Sequence, residues 1–68
     1  MFEVDARGLS CPEPVMLTHE TIRDHGDEQI KVLVSEPHTR DNVEKFAKSK
    51  GKTVSITEKG DEFELIIG

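Results

Sequence analysis

Two prolines two residues apart, Pro12 and Pro14, stand at the head of the run Val15-Met16-Leu17-Thr18-His19-Glu20-Thr21-Ile22-Arg23-Asp24-His25. In mid-helix such a pair would remove two backbone hydrogen bonds and clash with the preceding turn. In the first turn a missing N–H costs nothing, because those donors have no intrahelical acceptor. The pair therefore fixes a helix start, with Pro12 expected at the first helical position and Pro14 within the first turn. Val15, Thr18 or His19, and Ile22 then recur at helical spacing, and Met16 or Leu17 widens the inward stripe. Gly26 is the expected stop, as a left-handed cap.

Around this helix the pattern alternates between strand and helix. Residues 2–6 read as a half-buried strand with Phe2, Val4 and Ala6 on one face, followed by a turn at Gly8. Residues 29–35 read as a second strand, with Ile30, Val32 and Val34 inward and Leu33 on the other face. Glu36-Pro37 signals a second helix start. Val43, Phe46, Ala47 and Lys50 follow the helical repeat, and Gly51 closes it. Residues 53–57 form a strand with Val54 and Ile56 together, 58–61 a hairpin turn, and 62–67 a last strand carrying Phe63, Leu65 and Ile67. A strand–helix–strand connection implies a parallel pair, and the closing hairpin adds an antiparallel one. The expectation is one domain over residues 1–68, an α+β two-layer sandwich of order βαβαββ. Its four-stranded mixed sheet is covered on one face by two helices.

The core has to be aliphatic. Among 68 residues there are one cysteine, three phenylalanines and no Trp or Tyr. An intramolecular disulfide is excluded, as is a zinc cage built on several thiolates. The net charge of −5, from 14 acidic and 9 basic residues, argues against nucleic acid as the main partner. No apolar run approaches the ~20 residues that span a bilayer. Glu3, Asp5 and Arg7 interrupt any export signal, so a free thiol in the reducing cytoplasm is expected.

That thiol is Cys11. A thiolate is the reactive form, and the unpaired N–H groups and positive dipole end of a helix start favour it. The N–H groups of Glu13 and Val15 are the expected donors, while Glu13 opposes the effect with a negative charge in the same turn. A lone cysteine is commonly a small buried hydrophobe. Cys11, between Ser10 and Pro12 at a loop-to-helix junction, has no place on an inward stripe. No histidine lies in the local turn, so no Cys–His pair is visible. His19, His25 and His38 are scattered and read as structural or surface residues. A thiol without a base suits a carrier better than a hydrolase, and no metal or cofactor is called for.

Asp5-Ala6-Arg7-Gly8-Leu9-Ser10-Cys11-Pro12-Glu13-Pro14-Val15 closely resembles the N-terminal signature of the TusA/SirA-like sulfur carriers, a DxxGxxCPxP pattern. The element order matches that family as well, and the resemblance covers essentially the whole chain. It implies that Cys11 accepts sulfane sulfur from a cysteine desulfurase or rhodanese-like donor and relays it to a downstream acceptor protein. Such a relay is of sulfurtransferase type, without a self-contained catalytic cycle. Family routes lead to tRNA thiolation, molybdenum cofactor assembly and sulfur oxidation. Residues 35–43 look more like the YedF-type branch, often discussed with selenium metabolism.

Within the signature, Asp5 is expected to bond N–H groups of the following turn. Gly8 supplies a backbone conformation or a close approach, and Pro12 and Pro14 stiffen the helix entry. Arg7 and Glu13 are candidates for partner contacts or are merely solvated. Lys45, Lys48, Lys50 and Lys52 form a second candidate surface, either for an acidic partner or as the solvated side of the second helix. The competing functions are a binding or regulatory module indifferent to Cys11 and, less favoured, RNA binding.

Overall fold

Alternation along the chain becomes one sheet. In the computed structural model, which describes residues 1–10 and 12–68, four strands are ordered β1-β2-β4-β3. They are β1 (Phe2–Asp5), β2 (Ile30–Val34), β3 (Val54–Lys59) and β4 (Glu62–Ile67). β1 and β2 run parallel, with Val4 opposite Val32. β4 is antiparallel to both its neighbours, with Leu65 between Val32 of β2 and Ile56 of β3. The helices α1 (Glu13–His25) and α2 (Pro37–Ser49) follow β1 and β2. The expected two-layer sandwich and its mixed sheet are therefore present. Cys11 lies outside the described residues.

One face of the sheet is dry. Val4, Ile30, Val32, Val34, Phe63, Leu65 and Ile67 are buried there with Val43 and Ala47 of α2. The inward stripe of α1 is partly hydroxylic: Pro14, Thr18 and Thr21 are its buried residues. Thr18 and Thr21 donate their hydroxyls to the carbonyls of Pro14 and Leu17, at 2.8 and 2.7 Å, so neither is buried unpaired. Thr18 thus takes the inward place, while His19 is exposed and meets the Phe46 ring edge-on at 5.6 Å. Leu17 is the residue that widens the stripe, and Met16 stays 58% exposed.

The opposite face is charged. The ladder sets Glu3 beside Lys31 and Leu33 beside Glu64. Lys31 pairs with Glu3 at 3.2 Å and approaches Glu64 at 3.8 Å, and Lys59 also pairs with Glu64.

Three boundaries differ from the sequence reading. Pro12 is the residue before the helix, with φ −100° and ψ 13°, and Pro14 occupies the second helical position. Gly26 is right-handed at φ −68°, and glycine is required there for room: a Cβ would sit 2.4 Å from the Ile22 carbonyl oxygen. Lys52 Nζ donates to the Gly26 carbonyl at 2.7 Å, closing α1 from the exit of α2. At that exit Gly51 does adopt φ 78°. The N–H groups of Gly51 and Lys52 donate to the carbonyls of Lys48 and Ala47, the paired closure of a Schellman end. Finally, Glu58 and Lys59 belong to β3, opposite Phe63 and Glu62, so the hairpin loop is only Gly60-Asp61. A two-residue loop led by glycine matches the strand twist, which lets the ladder run to its base.

Candidate functional site

The signature begins where β1 ends. Ala6 is fully buried and donates its N–H to the Leu33 carbonyl at 2.8 Å, extending the parallel pairing past Asp5. Beyond it the chain is held by side chains. Asp5 Oδ1 accepts the Arg7 backbone N–H at 3.1 Å, which is the expected turn-closing role. The Arg7 guanidinium also grips that carboxylate through Nε and Nη2, at 2.9 and 2.8 Å. These hydrogen bonds, the side-chain one foremost, pull the Asp5 carboxyl down to about 2. Arg7 Nη1 reaches Glu62 at 3.2 Å, and the two carboxylates hold its charge in place. Arg7 is therefore an internal tie between the turn and the start of β4.

Gly8 follows at φ 79°, with nothing within 4 Å of where a Cβ would stand. Its requirement is conformational, and close approach plays no part. Its N–H donates to Ser35 Oγ at 2.8 Å, tying the turn to the end of β2. Leu9 N–H returns to the Ala6 carbonyl at 3.3 Å. The approach to Cys11 is thus fastened to β1, β2 and β4 within four residues.

Ser10 and Pro12, the chain neighbours of Cys11, are both exposed. The Glu13 N–H donates to the Ser10 carbonyl at 3.0 Å, so that expected donor is already engaged. Met16 N–H takes the Pro12 carbonyl at 3.0 Å as the first helical bond. Glu13 is exposed at the first helical position, where the dipole favours its charge. Pro14 is turned inward and fully buried, anchoring the first turn to the core.

Two shallow grooves flank this helix start. One, of about 450 Å³, is lined by Pro12 and Val15 of the α1 start and by Asn42, Lys45, Phe46 and Ser49 of α2. The other, of about 330 Å³, is lined by Leu9, Glu13, Met16, Leu17 and Glu20. One rim is cationic and the other acidic. Ser35, Glu62, Phe46 and Ser49 are absent from the sequence reading of the site. Only Phe46 leaves a signal: an aromatic at the helical repeat that the core does not bury.

The lysine cluster separates. Lys48 pairs with Glu44 at 3.0 Å, and Lys52 is committed to Gly26. Lys45 lines the first groove, and Lys50 Nζ lies 5.5 Å from the Phe46 ring centre. The histidines have surface surroundings: His25 stacks on Phe2 at 3.9 Å beside Glu28, and His38 is exposed. Among the described residues no group of three His, Cys, Asp or Glu side chains is placed to hold a metal ion. No helix among them is long and apolar enough to cross a membrane.

Comparison with known proteins turns the signature into an assignment. The family model described as sulfurtransferase TusA matches residues 2–68. The chain belongs to the TusA family. Over 45 residues it is 47% identical to the sulfur carrier protein TusA of Pseudomonas syringae, covering 65% of this chain and 54% of that protein. A sulfur carrier protein TusA of Pseudomonas putida is 41% identical over 49 residues, covering 71% and 61%. The matched stretch spans little more than half the length of these curated relatives. The crystal structure of a SirA-like protein from Desulfitobacterium hafniense superposes with a TM-score of 0.92 at 30% identity, covering 98% of this chain and 95% of that one. The fold is thus shared with that SirA-like protein over nearly the whole of both chains.

Proposed function

We propose that this TusA-family protein is a sulfur carrier in which Cys11 accepts a sulfane sulfur and relays it. One observation carries the reading beyond the family name. The signature residues Asp5, Arg7 and Gly8 are built into a turn fastened to three strands, and that turn leads into an exposed, proline-stiffened helix start flanked by two grooves. A fixed approach with open flanks suits a thiol that must be met by other proteins.

In the loading step the Cys11 thiolate attacks the outer sulfur of a donor persulfide. The donor S–S bond breaks, its electron pair leaves on the donor thiolate, and Cys11–S–SH forms. Delivery repeats the exchange with an acceptor. No oxidant or reductant is consumed in either transfer. A cysteine desulfurase or a rhodanese-like protein is the proposed donor, and a second protein the acceptor. The reducing cytoplasm, where the thiol stays free, is the proposed setting. The YedF-type likeness of residues 35–43 supports a trafficking pathway of that branch, with selenium as an alternative cargo at the same atom.

The test uses a cysteine desulfurase, cysteine carrying radiolabelled sulfur, and this protein. Label should pass to the wild type and be removed by reductant, and the intact mass should rise by one sulfur atom. Equal labelling of Cys11→Ser would sink the reading.

A further inference from the structure

The chain has nine lysines and arginines against fourteen acids, so nearly every cation should find a carboxylate. Seven are engaged. Arg7 holds Asp5 and Glu62, Arg23 holds Asp24, and Arg40 holds Asp41. Lys31, Lys48 and Lys59 hold glutamates, and Lys52 holds the Gly26 carbonyl. Lys45 and Lys50 alone have no carboxylate or carbonyl partner among the described residues. Both stand at the same place: Lys45 lines the groove between the α1 start and α2, and Lys50 lies over the Phe46 ring that forms its wall.

The groove is otherwise apolar where it matters. Pro12 is exposed, and Val15 and Phe46 are only half-buried, although all three are hydrophobic. Ser49 is turned back on its own helix, donating its hydroxyl to the Phe46 carbonyl at 2.6 Å. An apolar slot with two uncompensated cations on an acidic molecule is complementary to one kind of ligand surface.

We propose that this groove docks an acidic segment of a partner protein, which places an apolar side chain against Pro12, Val15 and Phe46 and carboxylates at Lys45 and Lys50. The proposal rests on reading the α1 start as the sulfur-transfer site, and it names the partner chemistry that the site selects. RNA fits less well, because two lysines and a single aromatic ring offer few phosphate contacts and no stacking platform. Rim charges of this type act mainly on encounter rate and salt dependence.

The probe is a short synthetic peptide with a leucine between glutamates, titrated into isotope-labelled protein and followed by amide chemical shifts. Shifts should concentrate at Val15, Phe46 and Ser49. Binding should weaken roughly tenfold in Lys45→Glu/Lys50→Glu and when salt is raised toward ~1 M. The milder Lys45→Gln/Lys50→Gln variant should weaken it in the same direction and covers any folding loss from charge reversal. The proposal is overturned if the lysine-for-glutamate peptide binds equally well, if the shifts fall elsewhere, or if none appear. It is also overturned if an RNA oligomer occupies the same residues more tightly, or if concentration alone moves them, which would mark a second copy as the occupant. Loading of Cys11 by inorganic polysulfide, read by intact mass in the same variants, should be unchanged. Failed loading with intact peptide binding would count against the carrier reading alone; failed binding with intact loading would count against the groove alone.

Discussion

Val32 and Leu65 face each other at zero exposure beneath the helices. One residue along the same strands, Lys31 and Glu64 stand on the opposite face within an ion-paired row. The two faces share every backbone hydrogen bond of the sheet and differ only in side chains. The dry face gains from area removed from water, which tolerates small errors of geometry. The charged face gains little from each exposed pair, since screening and side-chain entropy offset the attraction. Its worth is selective: a one-residue slip of β4 would bring Glu62 and Glu64 onto the dry face, so the row penalises wrong register. Stability and specificity are thus assigned to opposite sides of one layer.

Leu65→Ala breaks the dry face where three strands meet. Loss of a fully buried leucine should cost about 2–5 kcal/mol. Single cores in chains this short rarely supply more than about 3–5 kcal/mol. Most of the protein should therefore be unfolded at 25 °C, as read by circular dichroism and urea titration. A cost below about 1 kcal/mol would mean that the helices collapse onto the gap and that the dry face is not the main source of stability.

Gly8→Ala sharpens the comparison at the signature turn, which neither face covers. The site has open space, so the penalty is the left-handed backbone alone, about 1–2 kcal/mol. Gly8→Asn should cost less, because asparagine tolerates that conformation. If alanine and asparagine unfold at the same urea concentration, the positive φ is not what the position requires.

How far these regions can be read from sequence follows from how local their causes are. Ile30, Val32 and Val34, and likewise Phe63, Leu65 and Ile67, announce the dry face by alternation alone. Pro12 and Pro14 announce the helix start to within one residue. Thr18 could not be separated from His19, because the choice depends on a hydroxyl finding the Pro14 carbonyl. Arg7 looked like a loop charge because its partner Glu62 is 55 residues away and is brought near only by the register of β4. The first groove needs α1 packed beside α2, so Ser49 carries no local mark and Phe46 only that of an aromatic at the helical repeat. The reading of Cys11 as the reactive thiol rests on its motif and its position before Pro12, and the residue lies outside the described structure.

Acid should weaken the charged side before the dry one. Asp5 has an ordinary value of 3.8 and sits at about 2 when folded, held there first by the Arg7 side chain. A carboxylate with a lowered folded value stabilises fully above its unfolded value, and that contribution is lost as pH falls through the folded one. Glu64 is lowered as well, chiefly by Lys59, and adds in the same direction. The melting temperature should be flat above about pH 5 and fall from about pH 4 toward 2. Arg7→Gln should reduce that slope and leave the Glu64 part. An unchanged slope would remove Asp5 from the explanation.

The smallest effect is expected at the centre of the charged row. Lys31 bridges Glu3 and Glu64 from a half-buried position, and Lys59 also serves Glu64. Lys31→Gln should lower the melting temperature less than any change above, and the difference should shrink as salt is raised toward ~1 M. Because Lys59 remains, a Lys31/Lys59 double-mutant cycle should show a larger loss for the pair than the two single losses combined. Additive losses would mean that the two lysines act separately on Glu64. A single loss as large as that of Leu65→Ala would mean that the charged face holds the sheet together, which would invert the division between its two sides.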